Sequence, residues 1–492
     1  MSEPSSNSLW NAITWRLNRP LGRTIRRALY DALGPRFTGF EVHEKSFPGY
    51  DVASVNIALL SILQECCTKF KTIGGISSGT LNNLLDMLRT PAYRNLQPLP
   101  LGFMRVPVDV EQDESFVING LYTAELLPEA GANFKRPSAS LTGEQPARPS
   151  TQPEPIAVHI GIQYSPEYWE GLETSHAPRN NLLVGVLCKR RDIADRFFAE
   201  LNDRRRRFSI YRGKVIDPIL AGGVIQSIGF RRIQKVELDD LILPATVCDL
   251  IQRSIVGFYQ HRDRLRTHGI DLKRGILFHG PPGTGKTSIS LYLAQQLPGL
   301  TVCFVSGERL LYPREICRMA RYLQPAMVVF EDIDLVAQER DSMGLATVLG
   351  ELMNQIDGCD PDEEVLFIMN TNSLERLEHA VKNRPGRVDQ IISVPLPTSD
   401  ERRQLFQSFA KAMRLDLAVT DQLLEATDTL TPAAIKEVVK RGAVNALDRV
   451  SAQVNGETLP VSEADLLLAV QQVRAMRDPE QLPGSLGFRS GR

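Results

Sequence analysis

Within residues 51–90, Ile57, Leu59, Leu60, Ile62 and Leu63, then Leu81, Leu84, Leu85 and Leu88, recur at helical intervals, so the stretch reads as helical. Phe103–Val110 and Phe116–Tyr122 read instead as short strands between polar turns. From Gly131 to Pro155 apolar positions give way to Ser, Thr and five prolines, the composition of a disordered insertion. Strand-like Ile156–Tyr164 and Leu182–Leu187 follow, then a basic helix over Arg190–Arg207 and strand-like Phe208–Val215.

Beyond Lys235 the pattern changes. Solid apolar runs, Ile276–His279, Thr301–Val305, Met327–Asp332, Val365–Thr371 and Ile391–Leu396, alternate with helical stretches. Such alternation predicts a doubly wound α/β sheet with both faces covered. After Pro397 the periodicity is helical alone, over Glu401–Met413, Pro432–Leu447 and Ser462–Met476. The expected division is a basic amphipathic segment (1–39), an α+β N-terminal domain (40–234, with 131–155 disordered), an α/β domain (235–400), a helical domain (401–477) and a flexible tail (478–492).

Charge adds one asymmetry. Residues 1–235 hold 29 Lys/Arg against 23 Asp/Glu and the remainder 28 against 35, so a formal net charge of −1 conceals halves of +6 and −7. Seven scattered cysteines contain no CxxC or Cys/His cluster, which argues against a zinc site or disulfide framework and for a reducing, cytoplasmic setting. Residues 8–33 carry Trp10, Ile13, Trp15 and Leu17 beside five arginines. Pro20 interrupts them, which favours a docked helix with a solvated basic face over a membrane-surface helix or transit peptide.

The chemistry lies in Gly280-Pro281-Pro282-Gly283-Thr284-Gly285-Lys286-Thr287, which satisfies G-x-x-x-x-G-K-[ST] between an apolar strand and a helix opening at Ser288. Glycines there let backbone N–H groups turn toward phosphates, and the helix N-terminus adds its dipole. Gly280 to Ser288 are therefore the expected nucleotide-binding residues, with Lys286 reaching the β and γ phosphates of ATP and Thr287 binding Mg²⁺. Met327–Phe330 is an apolar strand ending in Glu331 and Asp332, adjacent acids suited to holding that metal and orienting water.

Together with Asn372 in Met369-Asn-Thr-Asn372, the segment Leu349–Gly358 and Asn383-Arg-Pro-Gly-Arg-Val-Asp389, these motifs resemble the AAA family of ATPases over about half the chain, Lys235 to Arg477. The resemblance implies a five-stranded parallel sheet with a helical lid, and homo-oligomeric rings, usually of six, with ATP bound between neighbours. It implies Asn372 as a sensor of the lytic water, and Arg384 and Arg387 as arginine fingers reaching a neighbour's γ-phosphate.

Three departures bear on function. The acids run Glu331 then Asp332, the reverse of the usual order and the same as in the mitochondrial respiratory-chain assembly branch of the family. The motif leaves open which of the two activates water; Asp332 is preferred, Glu331 going to the metal. No aromatic-apolar-Gly pore triplet lies between Gly307 and Met327, where Tyr312 is the aromatic candidate. No arginine stands near Thr431-Pro-Ala433. The leading expectation is a ring-forming ATPase that remodels or unfolds a protein client recruited by the N-terminal domain. The alternatives are a nucleic-acid-dependent ATPase using Arg204–Arg207 with Phe197, Phe198, Phe208 and Tyr211, and a membrane-associated assembly factor held by residues 8–33. The spacing of those aromatics favours a packed face beneath a solvated basic one.

Overall fold

The computed structural model describes residues 24–77, 80–93, 95–110, 112–129, 152–164, 180–221, 223–237, 240–334, 342–358, 363–375, 377, 388–449 and 458–477. The chain divides into two units, one of Met1–Arg212 and Ile216–Arg231, the other of Gly213–Val215 and Arg232–Arg492.

The first unit is built on six antiparallel strands: β1 (Glu41–Pro48), β2 (Cys67–Gly74), β3 (Gly102–Asp109), β4 (Gln112–Leu126), β5 (Glu154–Tyr164) and β6 (Asn180–Cys188). Their order is β1-β6-β5-β4-β2, with β3 also on β4. Alternation along the central strands fills two cores. Leu182, Val184 and Val186 of β6 and Ile156, Val158 and Ile160 of β5 face helices Val52–Glu65 and Arg191–Arg207. Leu187, Ala157 and Leu121 face helices Ile25–Leu33 and Leu81–Arg89. A further hairpin, β7 (Val215–Ala221) with β8 (Val224–Phe230), follows.

Residues 51–90 are not one helical stretch, because β2 runs between the two helices. Its exposed Lys69 and Lys71 alternate with the partly buried Phe70 and Thr72, a strand's period of two that the flanking leucines mask. Phe208–Val215 is not a strand either. Ile210 and Tyr211 turn inward from a loop, where the Tyr211 hydroxyl donates to the Tyr50 carbonyl (2.8 Å) and its ring stacks on Phe230.

The second unit contains five parallel strands: β9 (Arg274–His279), β10 (Thr301–Val305), β11 (Ala326–Phe330), β12 (Val365–Thr371) and β13 (Gln390–Ser393), in the order β13-β9-β12-β11-β10. All residues of β10, β11 and β12 are buried, which explains their unbroken apolar runs. The order reverses between β9 and β12, and ligands bind at such a switch point, beyond the carboxyl ends of the strands. Helices Ser399–Met413, Asp421–Ala426, Pro432–Arg449 and Glu463–Arg477 pack around Leu405, Phe406, Ile435, Val438 and Leu466 into a helical lid. A short parallel pair, β14 (Leu415–Leu417) and β15 (Leu459–Val461), joins them. Ser462 and Asp465 exchange hydrogen bonds at the start of the last helix.

Candidate active site

Three neighbouring strands deliver the polar groups. Helix Lys286–Gln296 starts seven residues past the end of β9, Glu331 and Asp332 leave β11, and Asn372 leaves β12. Register aligns Asn370 with Phe278 and Thr371 with His279 across β12 and β9, so the loops emerge side by side.

The loop after β9 has no room for side chains at its base. A Cβ on Gly280 would stand 2.1 Å from the Val394 carbonyl oxygen, and the φ of +156° is itself unfavourable to other residues. Gly283, at φ +83°, lies against the lid; a Cβ there would meet Thr431 and Ala433 at 3.0 Å. The Ala433 N–H donates to the Gly283 carbonyl (3.2 Å), so the region around Thr431-Pro-Ala433 contacts this loop through its backbone. Thr284 closes the turn by donating to the Pro281 carbonyl (3.0 Å).

Lys286 is 5% exposed. Its ammonium donates to the carbonyls of Gly280 (2.7 Å) and Pro281 (3.0 Å) and to Asn372 Oδ1 (2.8 Å). Burial holds its pKa below the ordinary lysine value, opposed by Asp332, Asp334 and Glu331. Burial and the Lys286 charge likewise depress His279, so it stays neutral below the usual range. Asn372 bridges onward, donating from Nδ2 to Asp332 Oδ1 (3.0 Å). Asp332 adopts a left-handed backbone at φ +48°. Asp334, 4% exposed, accepts at Oδ1 from the Thr371 hydroxyl and the Asn372 N–H, each at 3.0 Å, and so fixes the end of β12.

Glu331 takes a separate path. Its Oε2 accepts from the Thr287 hydroxyl (2.9 Å) and from Asn370 Nδ2 (3.0 Å). A hydroxyl beside a carboxylate is a hard oxygen pair of the kind Mg²⁺ takes, so Thr287 and Glu331 are the residues that could hold it. Among the described residues no cluster of three or more His, Cys, Asp or Glu could hold a metal by itself.

Lys286, Thr287, Glu331, Asp332 and Asn372 are thus brought together, with Gly280–Gly285 and Ser288 on the loop and the first turn of its helix. Arg384 and Arg387 lie outside the described residues. The next described anchor is Asp389, whose Oδ2 accepts from Gly275 N–H (2.7 Å) at the start of β9. Sequence reasoning gave no role to Asp334, Asn370 or Ser290. The signal was a polar residue, Asn370, inside the otherwise apolar run of β12.

The family model described as "ATPase family associated with various cellular activities (AAA)" matches residues 276–396. Residues 276–396 are an AAA ATPase domain. Its relatives include the proteasome-activating nucleotidase of Sulfurisphaera tokodaii, 32% identical over 222 residues, 42% of this chain and 55% of that protein. The human ATPase family gene 2 protein homolog A is 33% identical, over 40% of this chain and 24% of that protein. The 26S proteasome regulatory subunit 6B homolog of Dictyostelium discoideum is 31% identical, over 45% and 55%. The chain thus spans about half the length, or less, of these relatives.

Outside the AAA domain, the basic stretch is largely engaged internally. Arg204 binds Glu65 and Glu200 at 2.6 Å each and also contacts Ser61 and the Cys66 thiol. Arg205 pairs with fully buried Asp51 at 2.9 Å and covers the Phe47 ring, and Arg207 pairs with Asp203. Phe197 and Phe198 are buried edge to face, and Tyr211 is buried, while Phe208 is exposed. Ile25, Leu29 and Leu33 bury the end of the N-terminal basic segment, whose residues 1–23 lie outside the described set, as does most of 131–155. Among the described residues no helix is long and apolar enough to cross a membrane. Tyr312, within the AAA domain, is 37% exposed just before helix Pro313–Tyr322.

Proposed function

We propose that the chain hydrolyses ATP as one subunit of a cytoplasmic ring, six copies in the expected form, and uses the cycle to remodel or unfold a protein client recruited by its N-terminal unit. The observation that carries the reading is the convergence of Lys286, Asn372 and Asp332 beside the Thr287–Glu331 pair. Backbone N–H groups of Gly283–Ser288 cradle the phosphates, and Lys286 leaves its loop carbonyls for the β and γ oxygens. Thr287 and Glu331 would hold Mg²⁺, which would supply charge neutralisation to the phosphates. Asp332, aimed by Asn372, orients a water and draws its proton as the water oxygen bonds to the γ-phosphorus and the bond to the bridging oxygen breaks. Arg384 and Arg387 of an adjoining copy stabilise the charge spread over the transferring group.

The remodelling role draws on the named relatives, among them a proteasome-activating nucleotidase. Arg204 and Arg205, turned to internal partners, speak against a nucleic-acid groove, and burial of Ile25, Leu29 and Leu33 speaks against a membrane anchor formed by that part of residues 8–33. The test is a trap: Asp332→Asn with Glu331→Gln, recovered from cells with whatever it holds. Co-purifying protein released by ATP in the unmodified chain supports the reading. Enrichment in nucleic acid alone, or pelleting with liposomes that needs residues 1–35, would replace it.

A further inference from the structure

A closed circuit of side chains runs behind Glu331. Asn370 is fully buried near the carboxyl end of β12. Its Nδ2 donates to Glu331 Oε2 (3.0 Å) and to Ser290 Oγ (3.1 Å). Ser290 in turn donates to the Lys286 carbonyl (3.3 Å), one turn back on the helix that also carries Thr287. Thr287 closes the ring by donating to the same Glu331 oxygen.

We propose that Asn370 is the positioning residue that holds the Glu331 carboxylate in place to receive a divalent cation beside Thr287. The inference rests on the nucleotide-site reading above. Three observations argue for it. Glutamate has one more rotatable bond than aspartate, so a carboxylate at this distance from its backbone needs an extra restraint to stay on target. Two donors on one oxygen supply it, one from the phosphate-loop helix and one from β12. An uncharged donor is also the right kind, because it orients the carboxylate without cancelling the charge that attracts the cation, as a lysine or arginine would. Finally, Ser290 spends its hydroxyl hydrogen on the Lys286 carbonyl and so presents an oxygen to Asn370. A carboxylate on one side and that oxygen on the other are both acceptors, so the amide nitrogen, not its oxygen, must face them.

The measurement is the affinity of a fluorescent ATP analogue, first in EDTA and then along a Mg²⁺ titration. In Asn370→Ala, affinity in EDTA is expected within about twofold of the unmodified chain. The Mg²⁺ concentration that half-restores tight binding should rise by about 10-fold or more, the usual loss for removing a partner that orients a metal ligand. In a Glu331→Ala background the same change should add almost nothing, because the carboxylate it orients is gone. Asn370→Leu, of similar volume, decides if the alanine variant binds nothing in EDTA. Wild-type Mg²⁺ dependence in either variant, full additivity with Glu331→Ala, or loss of EDTA binding in both variants would make Asn370 a packing residue and overturn the proposal. Lys286→Ala separates the two levels. If it binds the analogue as tightly as the unmodified chain, the nucleotide site itself is misassigned; if it loses binding while Asn370→Ala behaves as wild type, this inference alone fails.

Discussion

Asn372 stands between Lys286 and Asp332, accepting from the ammonium at 2.8 Å through Oδ1 and donating to the carboxylate at 3.0 Å through Nδ2. A neutral amide can satisfy a cation and an anion at once because its two ends have opposite polarity. Its own backbone N–H is tied to buried Asp334, so the bridge rests on a fixed strand end.

Removing that bridge should act on turnover more than on binding. In Asn372→Ala, Lys286 keeps two carbonyl acceptors, whereas Asp332 loses the donor that aims it. Steady-state hydrolysis is expected to fall by about 10²-fold in kcat, with KM for ATP changed only a few-fold. A raised KM with unchanged kcat would assign Asn372 to ground-state binding instead.

Gly280→Ala is a test of the loop's geometry. The added methyl would stand 2.1 Å from the Val394 carbonyl, well inside contact distance, and backbone atoms on both sides must shift. Val394 also donates its N–H to the His279 carbonyl (2.8 Å), so the disturbance passes directly to β9. The expected cost is about 2 kcal/mol or more, read as a lowered urea midpoint, together with loss of nucleotide binding. Unchanged stability and affinity would show that the loop relaxes freely.

How much of this was legible beforehand depends on burial. Strands β10, β11 and β12 are covered on both faces, so their apolar runs announce them, and the residues at their ends stand out as polar. In β1 much of the strand is at least partly open to solvent, so Glu41, Glu44, Lys45 and Ser46 blur the pattern. In β2 exposed lysines alternate between two leucine-rich helices and vanish into their periodicity. Asn370 was visible as a polar interruption, but its partner Glu331 lies 39 residues away, and only the parallel register of β11 with β12 joins them.

The arginine run divides into residues with very different expected effects. Arg205 pairs with Asp51, which is wholly buried, so Arg205→Ala leaves a carboxylate without its cation inside the first unit. That should cost about 3 kcal/mol. Arg206 is exposed, and Arg206→Ala should stay within about 0.5 kcal/mol of the unmodified chain. Chemical denaturation of the two variants, side by side, makes the comparison. Equal, small effects would return Arg205 to the surface and reopen that stretch as a ligand-binding face.

His159 gives the first unit an acid-sensitive point. It is 1% exposed on β5, between Leu121 of β4 and Gly185 of β6. Burial pushes its imidazole down to about 4 from 6.5, so the folded chain holds it neutral while the unfolded chain protonates it more readily. The folded pKa is the lower one, so the stabilisation is fully present above pH 6.5 and is lost as pH falls toward 4. Across the whole window that loss is about 3 kcal/mol, and at pH 5 about 2 kcal/mol of it is already gone. His159→Leu removes the titrating group and leaves the others in common, so the stability difference between the two proteins should move in the variant's favour by about 2 kcal/mol from pH 7.5 to pH 5. Urea midpoints at those two pH values measure it, and a difference that stays constant would mean that His159 is protonated, and accommodated, in the folded state.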